Sequence, residues 1–267
     1  MEKNHPNDIR TVVRKKYGEV AKSDATGCCT PVSSCCGEPA TPLENLGPLT
    51  GYSQDELRLA PEGSHMGLGC GNPQAIAALK PGETVLDLGS GGGFDCFLAA
   101  KQVGDTGRVI GVDMTPEMVS KARENALKGD YSNVEFRLGE IEHIPAADGS
   151  IDVIISNCVI NLSPNKLEVF KEAFRILKPG GRLAISDVVA TAQLPPEFKD
   201  DLDLLSACVS GAATVMELTE MLQAAGVLDS EIQTQDESRE VISPGVPGKN
   251  VHAFIVSATI EGLNPEL

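Results

Sequence analysis

Apolar positions along the chain fall into two alternating rhythms. From Pro81 onward short, β-branched runs recur: TVLDLGSGGGFD, RVIGVDM, NVEFRLGE, SIDVIISN and GGRLAISDVVA. Each has the near-continuous apolar character of a strand buried on both faces. Between them lie FDCFLAAKQV, TPEMVSKARENALKG and KLEVFKEAFRILK, whose apolar residues return at helical spacing. TPEM puts a threonine in capping position, a proline in the first turn and an acid after it, while LKPGGR reads as a helix stop. Strands alternating with helices predict right-handed βαβ units and an α/β, doubly wound, mostly parallel sheet of Rossmann-like type.

The flanks differ. Residues 7–22, DIRTVVRKKYGEVAKS, space Ile9, Val12, Val13, Tyr17 and Val20 for one amphipathic helix. DATGCCTPVSSCCGEPATP then has the composition of a long loop. After Ala190, LPPEFKDDLDLLSACVSG predicts one helix ending near Ser210-Gly211, TVMELTEMLQAAG a second, and NVHAFIVSATI a strand. No internal repeat is present. The expected organisation is an N-terminal helix with a Cys-rich arm over 1–62, a cofactor-binding core over 63–190, and a C-terminal α+β extension over 191–267.

Composition narrows the function. A formal net charge of −16 over 267 residues opposes non-specific binding to phosphate backbones, and the absence of Trp removes the best stacking residue, so no nucleic-acid partner is expected. The polar start MEKNHPNDIR and the lack of any run of roughly 20 apolar residues argue for a soluble, cytoplasmic protein with no membrane partner. In that compartment the eight cysteines are expected to be mostly reduced and to serve as ligands, redox groups or core filler.

The run Gly89-Ser90-Gly91-Gly92-Gly93 ends a predicted strand and opens a helix, so backbone can approach a nucleotide-like ligand at the carboxyl edge of the sheet. Dehydrogenases use similar turns, but Asp87 just before this one would sit badly beside a pyrophosphate. It suits S-adenosylmethionine, which carries an ammonium and a sulfonium and no phosphate. Asp113 ends the next strand about 20 residues on, where a carboxylate accepts from ribose hydroxyls. Glu140 and Ile141 close the third strand, where an adenine would lie.

Cys96, in FDCFLAA, reads as a small buried hydrophobe. Cys70 stands among glycines in MGLGCGNP, Cys158 ends the fourth strand in SNCVINLSP, and Cys208 lies in SACVSGA, which can fold back over the same edge. Core or loop cysteine is the plain reading of each. If the three converge they select a soft partner, and they lack the C-x-x-C spacing of a structural zinc site. A pyramidal element such as trivalent arsenic would suit three sulfurs.

SNCVINLSP, LDLGSGGGFDCFLAA, VIGVDMTPEM, GLGCGNP and LKPGGRLAISDV together resemble the arsenite S-adenosylmethionine methyltransferases in their short bacterial or archaeal form, over about Gly63 to Leu222. The resemblance implies a class I methyltransferase fold. It also implies cofactor contacts from Gly89, Gly91, Asp113, Met114, Glu140, Ile141 and Asn157, beside Asp87, and As(III) bound by Cys70, Cys158 and Cys208 as catalytic thiols. The acceptor would be arsenite or an arsenic-thiol conjugate, with thioredoxin or glutathione as reductant. A further N-terminal redox cysteine is implied. Here two pairs, Cys28-Cys29 and Cys35-Cys36, are available; Cys29 is the candidate, and a separate metal-binding hairpin is the alternative. Other readings of the whole chain are a methyltransferase of a small carbon or oxygen acceptor such as a quinone precursor, and a thiol metalloid binder without catalysis.

Overall fold

The computed structural model describes residues 6–22, 50–199, 201, 204–205, 208–238 and 253–265. The N-terminal amphipathic pattern forms α1 (Pro6–Lys22). Two short helices follow, α2 (Gln54–Leu59) and α3 (Gln74–Ala77). The alternating region then gives β1 (Thr84–Leu88), α4 (Phe94–Val103), β2 (Arg108–Asp113), α5 (Pro116–Lys128), β3 (Val134–Leu138), β4 (Ile151–Asn157), α6 (Lys166–Ile176) and β5 (Leu177–Ala190). The chain continues with α7 (Pro196–Lys199), α8 (Val215–Ala225), β6 (Leu228–Gln235) and β7 (Ile255–Leu263).

The strands lie in one sheet in the order β3-β2-β1-β4-β5-β7-β6. The first five are parallel, while β7 runs antiparallel to β5 and β6 antiparallel to β7. This is the expected mostly parallel, doubly wound arrangement. Alternation along each strand divides the core: Leu86, Leu88, Ile154 and Leu183 join Phe170, Ile176 and Leu222 on one face. Val85, Val153, Ile155 and Ala184 join Phe97, Val103 and Val119 on the other. Arg182 of β5 ties the far end of the sheet together, donating to Glu83 at 2.7 and 2.9 Å and to the carbonyls of Ala77 and Ala78.

Three local expectations change. Thr115 precedes α5 as read, with Pro116 in the first turn, but its side chain makes no capping bond. It bonds back to Asp113 instead, whose carboxylate also accepts from the Thr115 amide at 2.8 Å. The helix anticipated through LPPEFKDDLDLLSACVSG is interrupted, with α7 ending at Lys199 and Asp201 irregular. Asp201 accepts from the Leu204 amide at 3.1 Å, as an acid at a fresh helical start does. β6 went unread because LDSEIQTQ is a largely exposed edge strand with little apolar signal. By contrast α8 begins with a full capping box, Thr214 and Glu217.

The β1–α4 turn brings two later features together. Gly89 has φ +70°, and a Cβ there would run into the Val159 side chain just past β4. A Gly89→Ala change therefore combines a left-handed backbone with a steric clash. Its expected cost is about 2–4 kcal/mol, read as a lowered urea midpoint with unchanged slope.

Candidate active site

The strand order reverses between β1 and β4, which opens a crevice at their carboxyl ends. On the β1 side the amides of Gly89 and Ser90 donate to the Val112 carbonyl at 2.7 and 3.0 Å, drawing the glycine loop over the end of β2. Gly91, at φ +50°, has open space where a Cβ would point. The Ser90 hydroxyl is buried with no hydrogen-bond partner among the described residues.

Three buried carboxylates surround this loop. Asp113 accepts from the Gly91 amide at 3.0 Å through one oxygen and from the Thr115 amide through the other. Asp87 lies beneath the loop and takes a bond from the Cys96 thiol at 3.3 Å, so Cys96 is more than filler. Asp95, in the first turn of α4, accepts from the Tyr52 hydroxyl at 2.7 Å and from Asn157 Nδ2 at 3.4 Å. Burial raises the pKa of all three above the usual carboxylate range, most clearly for Asp87, where the neighbouring Asp95 adds to it. Asp95 reaches about 6, its hydrogen bonds from Tyr52 and Asn157 opposing the burial. A cluster of this kind is relieved by a cation.

A cavity of 340 Å³ adjoins the ends of β2 and β3, lined by Arg14, Met114, Pro116, Leu138, Gly139 and Glu140. Two sequence candidates, Met114 and Glu140, therefore share it. β3 ends at Leu138, so Glu140 and Ile141 lie beyond the strand they were expected to close. Ile141 packs into the main core beside Ile144, and its side chain is not among those lining the cavity. A larger groove of 710 Å³, rich in basic residues, runs between residues 58–63 and α5 and contains none of the candidates.

The thiols converge on the β4 side. Cys158 and Cys208 are buried in one apolar cluster with Val13, Leu162, Val188 and Val209, and Cys70 packs against it. Both buried cysteines adopt left-handed backbone, with φ 59° and 61°, a conformation non-glycine residues hold only when their surroundings impose it. Asn161 supplies much of that constraint, its Nδ2 donating to Asp187, to the Val188 carbonyl and to the Cys208 carbonyl. The Cys70 loop is pinned by its amide donating to Asn157 Oδ1 at 3.0 Å and by the Ser257 hydroxyl donating to the Cys70 carbonyl at 3.0 Å.

Of the four cysteines among the described residues, two are paired and two, Cys96 and Cys208, are free. Cys70 and Cys158 are joined in a disulfide, their Cα atoms 5.8 Å apart, within the range a disulfide spans. Cys208 is free, its thiol donating to the Cys158 carbonyl at 2.9 Å. Burial pushes its pKa well up, with Asp187 adding and Tyr17 and Lys166 opposing. Cys28, Cys29, Cys35 and Cys36 lie outside the described residues.

Sequence reasoning passed over Asp187, whose carboxylate comes within 4.8 Å of the Cys70 and Cys158 sulfurs. It accepts from the amides of Ile160 and Val188 as well as from Asn161, and burial lifts its pKa to about 6. Half-buried Lys166, its own pKa lowered by burial, supplies an opposing positive charge. A charged residue inside the apolar run LAISDVVA was the available signal. Tyr17, Tyr52 and Asp95 were also missed as site residues.

The groups around the glycine loop fit S-adenosylmethionine. The unpartnered Ser90 hydroxyl, the open face of Gly91 and three carboxylates suit a polar, cationic, phosphate-free ligand.

Comparison with known proteins places the chain in a family. A methyltransferase domain matches residues 79–226. The chain is 52% identical to an arsenite methyltransferase of Halobacterium salinarum, covering 97% of this chain and 68% of that protein. It is 37% identical to an arsenite methyltransferase of Aquipseudomonas alcaligenes, covering 95% and 73%. Among solved structures, an arsenic (III) S-adenosylmethionine methyltransferase from Chlamydomonas reinhardtii superposes with a TM-score of 0.60 at 32% identity, covering 86% of this chain and 75% of that one. With its class I fold and its thiols gathered beside the acid-rich glycine loop, the chain belongs to the arsenite methyltransferases.

Proposed function

We propose that this protein methylates trivalent arsenic, using S-adenosylmethionine as methyl donor and Cys70, Cys158 and Cys208 as the thiols that hold arsenite, in the service of arsenic detoxification. The observation that supports this is the packing of three cysteines, from segments far apart in sequence, in or against one apolar cluster, with the Cys70 and Cys158 sulfurs together and the Cys208 thiol against the Cys158 carbonyl. When bound, the cofactor supplies an electrophilic methyl group on a cationic sulfur. Gly91, Ser90 and Asp113 would hold its polar parts, Asp87 and Asp95 would balance its charge from beneath, and Met114 and Glu140 would wall its adenosine end.

Arsenite loses three hydroxides as three thiols bind, each thiol proton leaving with a hydroxide as water. Bound arsenic keeps a lone pair and has no proton to lose, so the site needs no general base. The protein contributes orientation, which can be worth up to about 7–11 kcal/mol, and an apolar wall of Val13, Leu162 and Val188 that excludes water.

Methylation raises As(III) formally to As(V), and closing a disulfide from two thiols returns two electrons. Cys70 and Cys158 are close enough to form one, as the disulfide itself attests. Thioredoxin or glutathione would reopen it by thiol exchange. Cys29 is the proposed partner for further rounds. No helix among the described residues is long and apolar enough to cross a membrane, and a cytoplasmic setting, where such reductants are kept reduced, suits this chemistry.

With purified protein, methyl donor, a thiol reductant and arsenite, Cys158→Ser and Cys208→Ser should each lower the rate of methylated arsenic formation by at least about 100-fold, because two sulfurs fix arsenic poorly. Full activity in either variant contradicts the assignment. The acid cluster gives a pH signature. Asp95 has a folded-state pKa of about 6, so a cationic ligand, which favours the ionised carboxylate, must displace its proton in more acidic solution. Affinity for the methyl donor, measured by equilibrium dialysis without arsenite, should therefore rise about tenfold from pH 5 to pH 7, and keep rising where Asp87, whose pKa is raised further, still loses its proton. An Asp95→Asn variant should bind more weakly and lose that rise.

A further inference from the structure

One wall of the cofactor cavity comes from outside the matched methyltransferase domain. Arg14, on α1, lines the 340 Å³ cavity together with Met114 and Glu140, although the domain match begins only at residue 79. Its Nε donates to the Met114 carbonyl and a terminal nitrogen to Glu140 Oε1, both at 3.1 Å. The other oxygen of Glu140 lies 3.3 Å from Arg10 Nε, one turn earlier on the same helix. Arg10 is itself held by Glu142 at 3.1 Å, and Glu142 also accepts from the Ser163 hydroxyl at 2.7 Å.

We propose that Arg14 is a positioning residue of the methyl-donor site: its guanidinium holds the Glu140 carboxylate and the Met114 carbonyl in place at the adenosine end of the cofactor cavity. This rests on the reading of that cavity as the adenosine end of an S-adenosylmethionine site.

The end of β3 explains why such a residue is needed. Glu140 lies past Leu138, where the pairing with β2 stops, so no strand fixes its side chain. A glutamate on an irregular segment loses rotamer freedom when a ligand engages it, whereas a carboxylate already tied to a guanidinium has lost that freedom beforehand. Met114 directly follows Asp113, the carboxylate bonded to the Gly91 amide, so a bond to its carbonyl steadies the exit of β2 beside the glycine loop. A planar guanidinium reaches both acceptors at once.

Helix α1 has other anchors. Val13 is buried in the cysteine cluster, and Val20 packs with Met66 and Met118. Lys22 pairs with Glu117 at 2.8 Å, and Lys121 donates to the Ala21 carbonyl at 3.3 Å. Removing the guanidinium therefore alters the cavity wall and leaves the rest of the helix in contact.

Binding, measured without turnover, tests this. Wild type, Arg14→Met and Lys22→Met are titrated calorimetrically with S-adenosylmethionine and with S-adenosylhomocysteine, which keeps the adenosine and lacks the sulfonium charge. Methionine retains much of the apolar stem, and thermal unfolding checks that each variant is folded. Arg14→Met should weaken both ligands about fivefold and by the same factor, because both carry the adenosine. Its arsenite affinity, measured by equilibrium dialysis after reduction with a phosphine, which does not chelate arsenic, should stay unchanged. Lys22→Met should bind all three ligands as wild type does. Unchanged binding of both adenosine ligands in Arg14→Met overturns the proposal, and so does a loss confined to S-adenosylmethionine, which would trace the effect to the sulfonium charge. An equal loss in Lys22→Met, or a parallel loss of arsenite affinity in Arg14→Met, would mean that Arg14 only docks the helix, and overturns it as well. Wild-type protein that binds neither adenosine ligand would overturn the methyl-donor reading and this proposal with it, which separates the two failures.

Discussion

The carboxyl end of β4 is the constraint on which the site depends. Two consecutive residues there face different tasks. Asn157 donates to the Gly71 carbonyl at 2.7 Å and to Tyr52, accepts from the Cys70 amide, and so joins the Cys70 loop to the acids around the glycine loop. Cys158, turned by its left-handed backbone, drops into the apolar cluster with Cys208. The register with β5, Asn157 beside Ser186, then brings Asp187 alongside. Soft nucleophile and cationic electrophile call for unlike surroundings, one dry and sulfur-rich, the other acidic. In the proposed reaction, this strand end would separate the two surroundings by one residue.

Charge makes that separation useful. Asp87, Asp95 and Asp113 are buried at an energetic cost that shows as raised pKa values, and no described lysine or arginine hydrogen-bonds to any of them. The basic residues near the crevice, Arg10 and Arg14, are engaged with Glu140 and Glu142 at the other end of the cavity. Buried acids without a basic partner among the described residues favour a cation, the charge that the proposed methyl donor carries. Asp187 stands apart from this group, satisfied by two amides, Asn161 and nearby Lys166.

Much of this was legible in sequence because it is local. The strand-loop-helix of VLDLGSGGGFD, the acid ending β2 and the exits of the parallel strands all lie within a few residues of their own signals. What was lost is long-range. Tyr17 packs against the cluster that holds Cys208, and Tyr52 reaches Asp95 and Asn157, across separations that no periodicity encodes. The apolar spacing of DIRTVVRKKYGEVAKS predicted the helix correctly, and Val13 and Tyr17 pack in or against one apolar cluster, but the spacing could not say that the cluster holds the cysteines. Thr115 misled for the reverse reason, since a strong local capping rule yielded to the buried carboxylate two residues earlier. The disulfide between Cys70 and Cys158 likewise depends on Asn157 and Ser257 holding a glycine-rich loop in place, which spacing cannot reveal.

The central claim is that three protein sulfurs hold one arsenic atom. Arsenic K-edge X-ray absorption on the phosphine-reduced protein with one equivalent of arsenite reads the first coordination sphere directly. Three sulfur neighbours and no oxygen are expected. Two sulfurs with a retained oxygen, or oxygen alone, would contradict the account.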